Sequence, residues 1–181
     1  DALQRDYLGK IHGSGTALLG VLNDILDYSK VEAGRLEIES LPLQLDALFE
    51  KVRMLFSLKA AERGLTLEFA IAPDLPRCLR GDPLRLLQVL SNLVSNALKF
   101  TPPGGVIGVT LGEASGWVFA EVRDNGPGLG PADFAKIFSP NQRLSARPTG
   151  EGEDSTGLGL IIARELLTLQ GGRLEVQSQP G

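Results

Sequence analysis

Cysteine is nearly absent from this sequence: Cys78 stands alone, which excludes an internal disulfide framework and fits a reducing compartment. No apolar run approaches the roughly 20 residues of a membrane span, and no signal-peptide pattern opens the chain. Positive charge is in deficit. The formal net charge of −4 over 181 residues speaks against a nucleic-acid binder, and an anionic ligand would need its own local positive site. There is no internal repeat. What remains is an ordinary globular composition, 43% hydrophobic and 22% charged, enough for one good core and an appendage. The first residue is Asp1 rather than Met, so the sequence reads as a piece of a longer protein, with room for a membrane anchor elsewhere in it.

The opening stretch carries Leu8, Ile11, Gly15, Leu18, Leu22, Ile25 and Ser29 in alternating steps of three and four, a coiled-coil seam. Leu19 and Leu26 widen the stripe toward a helical bundle, and the glycines at 9, 13, 15 and 20 make the helix depend on partner helices. We expect those partners in trans or in a segment outside this chain. After Gly34 the pattern changes, placing the boundary of a mixed domain near residues 34–43. A second amphipathic helix is predicted from about Leu45 to Gly64, and "LTLEFAI" alternates as a strand. Pro73, Pro76 and "GDP" mark loops, with Asp82 an N-cap and Pro83 the first residue of a helix. "VIGVTL" and "WVFAEVR" read as strands joined at "GEASG". A short helix "PADFAKIF", a polar stretch over 139–155, a helix from about Leu158 to Gln170 and a last strand "RLEVQSQ" complete the reading.

The helix after Pro83 is largely apolar and carries Gln88, Asn92, Asn96 and Lys99, spaced four, four and three and therefore on one face. A solvated stripe would give that pattern too, but asparagine competes for backbone hydrogen bonds and is a poor choice for one. Amide oxygens can ligate a hard cation, and an ammonium can meet phosphate oxygens. Downstream, "DNGPGLG" at 124–130 follows a strand and holds more glycine than a turn needs, allowing close backbone approach to a ligand. Asp124 could accept a hydrogen bond from an exocyclic amine. "STGLGL" at 155–160 opens a helix, where free amides and the helix dipole suit phosphate.

Together these segments resemble the bacterial sensor histidine kinases of the gyrase/Hsp90/kinase/MutL ATP-binding superfamily, in the form common among hybrid kinases. "QVLSNLVSNALKFT" is similar to the family's N box, "DNGPGLG" to its first glycine box, "AKIFSP" to its F box and "STGLGL" to its second. "VLNDILDYSKVEAGRLE" resembles the second helix of the dimerisation and histidine-phosphotransfer domain. The resemblance implies an α+β fold, a two-layer α/β sandwich with a mixed sheet covered on one face by helices. It implies two domains, with residues 1–39 as the dimerisation helix and 40–181 as the ATP-binding domain. It also implies ATP and Mg2+ as ligands, with Asn96 and Asn92 holding the metal. Lys99 would meet phosphate, Phe100 would lie beside the nucleotide, and Asp124 would bond the adenine amine. Gly126 and Gly128 would approach the base, and Thr156, Gly157, Leu158, Gly159 and Leu160 would cradle phosphates. Gln88 would stand behind these. The implied partners are a second copy, through a helical bundle, and a response-regulator receiver domain. The implied setting is the cytoplasm, with the parent protein anchored in the inner membrane or not.

Some family features are missing. The phosphoacceptor histidine belongs on a helix preceding this chain; the sole histidine, His12, sits one step past Ile11 with no adjacent carboxylate. A strand after "SQPG" is expected and absent. Asn141 replaces the second F-box phenylalanine, Ser155 stands where glycine is frequent, and Arg143 or Arg147 could reach a γ-phosphate, although free surface arginines fit the polar stretch better. Three readings follow: a catalytic ATP-binding portion of a histidine kinase, a degenerate kinase-like module that regulates another kinase through its seam, or another ATPase of the superfamily. The seam helix argues against the third.

Overall fold

The computed structural model describes residues 2–139, Thr149 and residues 157–180. The chain starts with a long helix α1, Ala2–Glu32, as the seam predicts. Strand β1, Leu41–Gln44, leads directly into α2, Leu45–Glu62. Then come β2, Thr66–Ile71, and β3, Cys78–Gly81, followed by α3, Pro83–Phe100. The hairpin β4, Val106–Ala114, and β5, Trp117–Asp124, turns on Ser115 and Gly116, both with positive φ. That left-handed pair matches the twist of the flanking strands, and it shortens the expected "GEASG" connection to two residues. Helix α4, Pro131–Phe134, and α5, Gly159–Leu169, complete the elements.

The expected two-layer α/β arrangement is found. Strand β4 is central, parallel to β2 with Thr66 opposite Val106, and antiparallel to β5 with Ile107 opposite Asp124. Alternation along β4 sends Ile107, Val109 and Leu111 inward, where they meet Phe49, Val52 and Phe56 of α2 and Leu90, Val94 and Leu98 of α3. Phe49 and Phe69 meet edge to face at 5.3 Å between ring centres, a favoured aromatic geometry. A small separate sheet pairs β1 with β3. It was not expected, because four-residue strands in a proline-rich setting carry no readable period.

A second cluster lies on the other side of α3. Val89 meets Leu158, Ile161, Ile162, Ala163 and Leu166 of the α5 region. Tyr28 at the end of α1, with Leu36 and Ile38, packs on this cluster. Thus the C-terminal part of the arm packs within the chain. Its seam stays open: Leu18 is 61% exposed and Ile25 47%.

Two expectations fail. Only the first turn of "PADFAKIF" is regular helix, since residues 135–138 continue as turns. Residues 173–179 alternate in burial but form no strand among the described residues. Alternation shows which face is covered; a strand also needs a hydrogen-bonded ladder, and none is formed there.

Candidate functional site

The site is built on α3, whose start is firmly defined. Asp82 is buried, and its Oδ1 accepts hydrogen bonds from the amides of Leu84 at 3.1 Å and Arg85 at 3.0 Å. This is the N-cap the sequence predicts, worth about 1 kcal/mol. Its other oxygen accepts from the Glu39 amide at 3.1 Å, and its own amide donates to Gln170 Oε1 at 3.0 Å. One aspartate therefore ties the linker, α3 and the end of α5 together.

With the apolar face of α3 on the sheet, the polar stripe faces α5, the arm and the loops. Its four members have different surroundings. Gln88 turns out to belong to the arm contact: its Nε2 donates to Asp27 Oδ2 at 2.7 Å, and its Oε1 accepts from Arg85 Nη1 at 2.9 Å. Arg85 also bonds both Asp27 oxygens at 3.2 Å. The Arg85 and Asp27 side chains are only 18% and 15% exposed, so this ion pair is better shielded from solvent than a surface pair. Asn92 reaches the other way: its amide nitrogen donates to the Gly159 carbonyl at 3.0 Å. Asn96 is half-buried, and its side chain has no hydrogen-bond partner among the described residues. Lys99 is buried, its ammonium lying 5.6 Å from the centre of the Phe100 ring. Its carbonyl accepts from both the amide and the hydroxyl of Thr149, each at 3.0 Å. Thr149, which had no sequence signal, thereby closes the end of α3.

The first glycine loop packs on that same end. Gly126 lies so close to α3 that a Cβ there would meet the Phe100 carbonyl oxygen at 3.2 Å. The Asp124 carboxylate is exposed, and its Oδ1 accepts from the Gly126 amide at 2.9 Å. Asn125 Oδ1 accepts from the Val106 amide at 2.9 Å and pins the loop to β4. Gly128 has φ +69° and a would-be Cβ 2.0 Å from the Gln179 carbonyl oxygen. Leu129 donates to Ser178 Oγ at 2.9 Å, so the end of the chain lies along this loop.

The second glycine segment opens α5, whose start has no side-chain cap among the described residues. The first-turn amides and the positive end of the dipole at a helix start suit an anion. The F-box residues support this helix: Ile137 is buried, and the Arg164 guanidinium of α5 stacks over Phe138 at 4.8 Å. Thr156, Ser155, Asn141, Arg143 and Arg147 lie outside the described residues.

The two loops thus touch α3 at Asn92 and at Phe100, eight residues or about 12 Å apart along the axis. Asn96 lies between them. Two surface cavities of about 320 and 390 Å³ are lined elsewhere, neither of them by Asn92, Asn96, Lys99 or Asp124. The candidate residues gather along one face of α3. Among the described residues no cluster of three or more His, Cys, Asp or Glu could hold a metal. A cation here would depend on amide oxygen, ligand oxygens and water.

Residues 81–181 match the family model described as histidine kinase-, DNA gyrase B- and HSP90-like ATPase. The chain belongs to this ATPase family. Sequence relatives of this ATPase domain include the sensor histidine kinase GacS of Pseudomonas protegens, 39% identical over 98% of the chain and 20% of GacS. The sensor protein TorS of Escherichia coli is 42% identical over 98% of the chain and 19% of TorS. The chain therefore spans about a fifth of the length of these curated relatives. Full-length ShkA, solved in complex with AMPPNP, matches with TM-score 0.77 and 32% identity over 94% of the chain and 35% of ShkA. The ATPase domain of this chain is accordingly homologous to the catalytic domains of sensor histidine kinases.

Proposed function

We propose that this chain is the ATP-binding catalytic portion of a two-component sensor histidine kinase, transferring the γ-phosphoryl of ATP to a histidine outside the chain. The observation that carries the proposal is the arrangement along α3. One glycine loop with an exposed carboxylate lies at its end, an uncapped glycine-led helix start lies at Asn92, and an amide without a described partner lies between. That order suits a nucleotide laid along the helix, its base toward Asp124 and its phosphates toward Gly157, Leu158, Gly159 and Leu160. Thr156 is proposed from the motif alone. Such a site supplies positioning and charge neutralisation, which is most of what phosphoryl transfer asks of a protein.

Asn96 Oδ1 would be the protein oxygen on Mg2+, an ion that keeps few protein ligands and otherwise uses phosphate and water. When bound, the ion neutralises phosphate charge. Lys99, at the phosphate side of Phe100, would add a positive charge close to the same oxygens. Residues 1–39 would be the second helix of a dimerisation domain and residues 40–181 the ATP-binding domain. Support for this division comes from the exposed seam of α1. The partners would be a second copy and a receiver domain; the related ThkA kinase has been solved in complex with a response regulator, TrrA. Among the described residues no helix is long and apolar enough to cross a membrane, and we propose that this portion works in the cytoplasm.

The test is an ATP titration with and without Mg2+, on the parent chain and on Asn96→Ala. The parent is expected to bind ATP more tightly with Mg2+. Asn96→Ala should lose most of that enhancement, about tenfold, with its urea midpoint unchanged because the stripe is not core. A parent chain that binds no ATP, or binds it equally with and without the ion, overturns the reading.

A further inference from the structure

We propose that Asn92 is a positioning residue, fastening the start of α5 to α3 through its amide nitrogen, and not a ligand of the metal. The inference rests on the nucleotide reading of the second glycine segment, but its geometry stands by itself. The partner of Asn92 is the Gly159 carbonyl, 3.0 Å away. A carbonyl oxygen only accepts, so the –NH2 side of the Asn92 amide must face it, whichever way the amide is otherwise assigned. The same side chain lies flat on Gly159, its Cγ 3.5 Å from where a Cβ would stand.

Around this bond the contact between α3 and α5 is apolar, through Val89 and Leu93 against Ile161, Ile162, Ala163 and Leu166. Apolar packing is non-directional, so it leaves the axial position of one helix on the other weakly specified. Polar ties at both ends remove that freedom. At the far end the Asp82 amide donates to Gln170 Oε1 at 3.0 Å, and at the near end Asn92 holds Gly159, the first residue of α5. The near tie governs where the first-turn amides of α5 stand relative to Asn96, one turn along α3. Asn92 would therefore set the distance between the phosphate donors and the metal oxygen, without touching either ligand.

Asn92→Asp separates the two roles. A carboxylate keeps the oxygen a metal would use, and strengthens it, but removes the donor and sets a negative charge against the Gly159 carbonyl. Affinity for ATP would be measured with Mg2+ and in EDTA for the parent, Asn92→Asp, Asn92→Ala and Asn96→Ala, alongside amide hydrogen exchange of residues 162–165, the first hydrogen-bonded amides of α5, in the absence of nucleotide. Both Asn92 variants are expected to lose tenfold or more with and without the metal. Asn92→Asp should be no better than Asn92→Ala, and both should exchange faster at 162–165 while α2 keeps its protection. An Asn92→Asp variant that holds the parent's affinity with Mg2+, or exchange at 162–165 unchanged in both variants, overturns the proposal. Should the parent itself bind no ATP, the nucleotide reading falls, and the exchange at 162–165 still decides the tie between the helices.

Discussion

The two glycine segments look alike in sequence and are treated differently by the fold. In the first, glycine is demanded by the protein's own backbone: Gly128 has φ +69°, and any Cβ would sit 2.0 Å from the Gln179 carbonyl oxygen. In the second, Gly157 is also left-handed, with φ +66°, but Gly159 is not demanded internally. Its nearest neighbour would be the Asn92 side chain at 3.5 Å, an ordinary contact, and its φ is not positive. A glycine that folding does not need, at the start of a helix, suits the ligand role proposed for this segment. The first segment is a structural bend that carries one exposed carboxylate; the second brings Gly159 against the Asn92 side chain.

Substitution of the glycines should divide the two segments most sharply. Gly128→Ala is expected to lower unfolding free energy by about 2–4 kcal/mol, from left-handed strain and overpacking against fixed backbone. Urea denaturation measures it; a loss under 1 kcal/mol would mean that the chain end moves aside easily. Asp124 comes next, because its carboxylate is exposed and bonded only within its own loop. Asp124→Ala should weaken ATP binding tenfold or more at little cost in stability, matching a charge-assisted bond of about 1.5–3 kcal/mol. Asp124→Asn should lose less, since its amide oxygen still accepts, and GTP should compete poorly against ATP on the parent. Equal competition by the two nucleotides would remove Asp124 from base recognition. The smallest effect is expected at Gly159. Gly159→Ala should leave stability unchanged or raise it by up to about 1 kcal/mol, as for glycine replaced in a helix, while Mg-ATP affinity falls a few-fold in the same titration. A large loss of stability would make the two segments equivalent and end the contrast.

The contact between arm and domain has its own test. Asp27→Asn removes the charge from a shielded pair with Arg85, and should cost about 1–3 kcal/mol. Thermal unfolding would measure it. An unchanged midpoint would show the pair to be no better than a surface one.

Local pattern alone determined much of this protein. The seam of α1, the apolar faces of α2 and α3, the cap at Asp82 and the alternation of β2, β4 and β5 all follow from residues within a turn or two of one another. So does the grouping of Asn92, Asn96 and Lys99 on one face, because helical spacing suffices for it. The tertiary structure decided what each of those residues touches. Gln88 and Asn92 are one turn apart and chemically alike, yet Gln88 bonds an aspartate 61 residues away on the arm and Asn92 a carbonyl 67 residues away on α5. No local period encodes either choice. The pairing of Leu41 with Gly81, the failure of the alternating segment 173–179 to gain a ladder, and the backbone that forbids a side chain at Gly128 are of the same kind. Each depends on two stretches of chain that meet only after the core has folded. Side-chain period shows which face of an element is buried, but it holds no information about the partner on the other side.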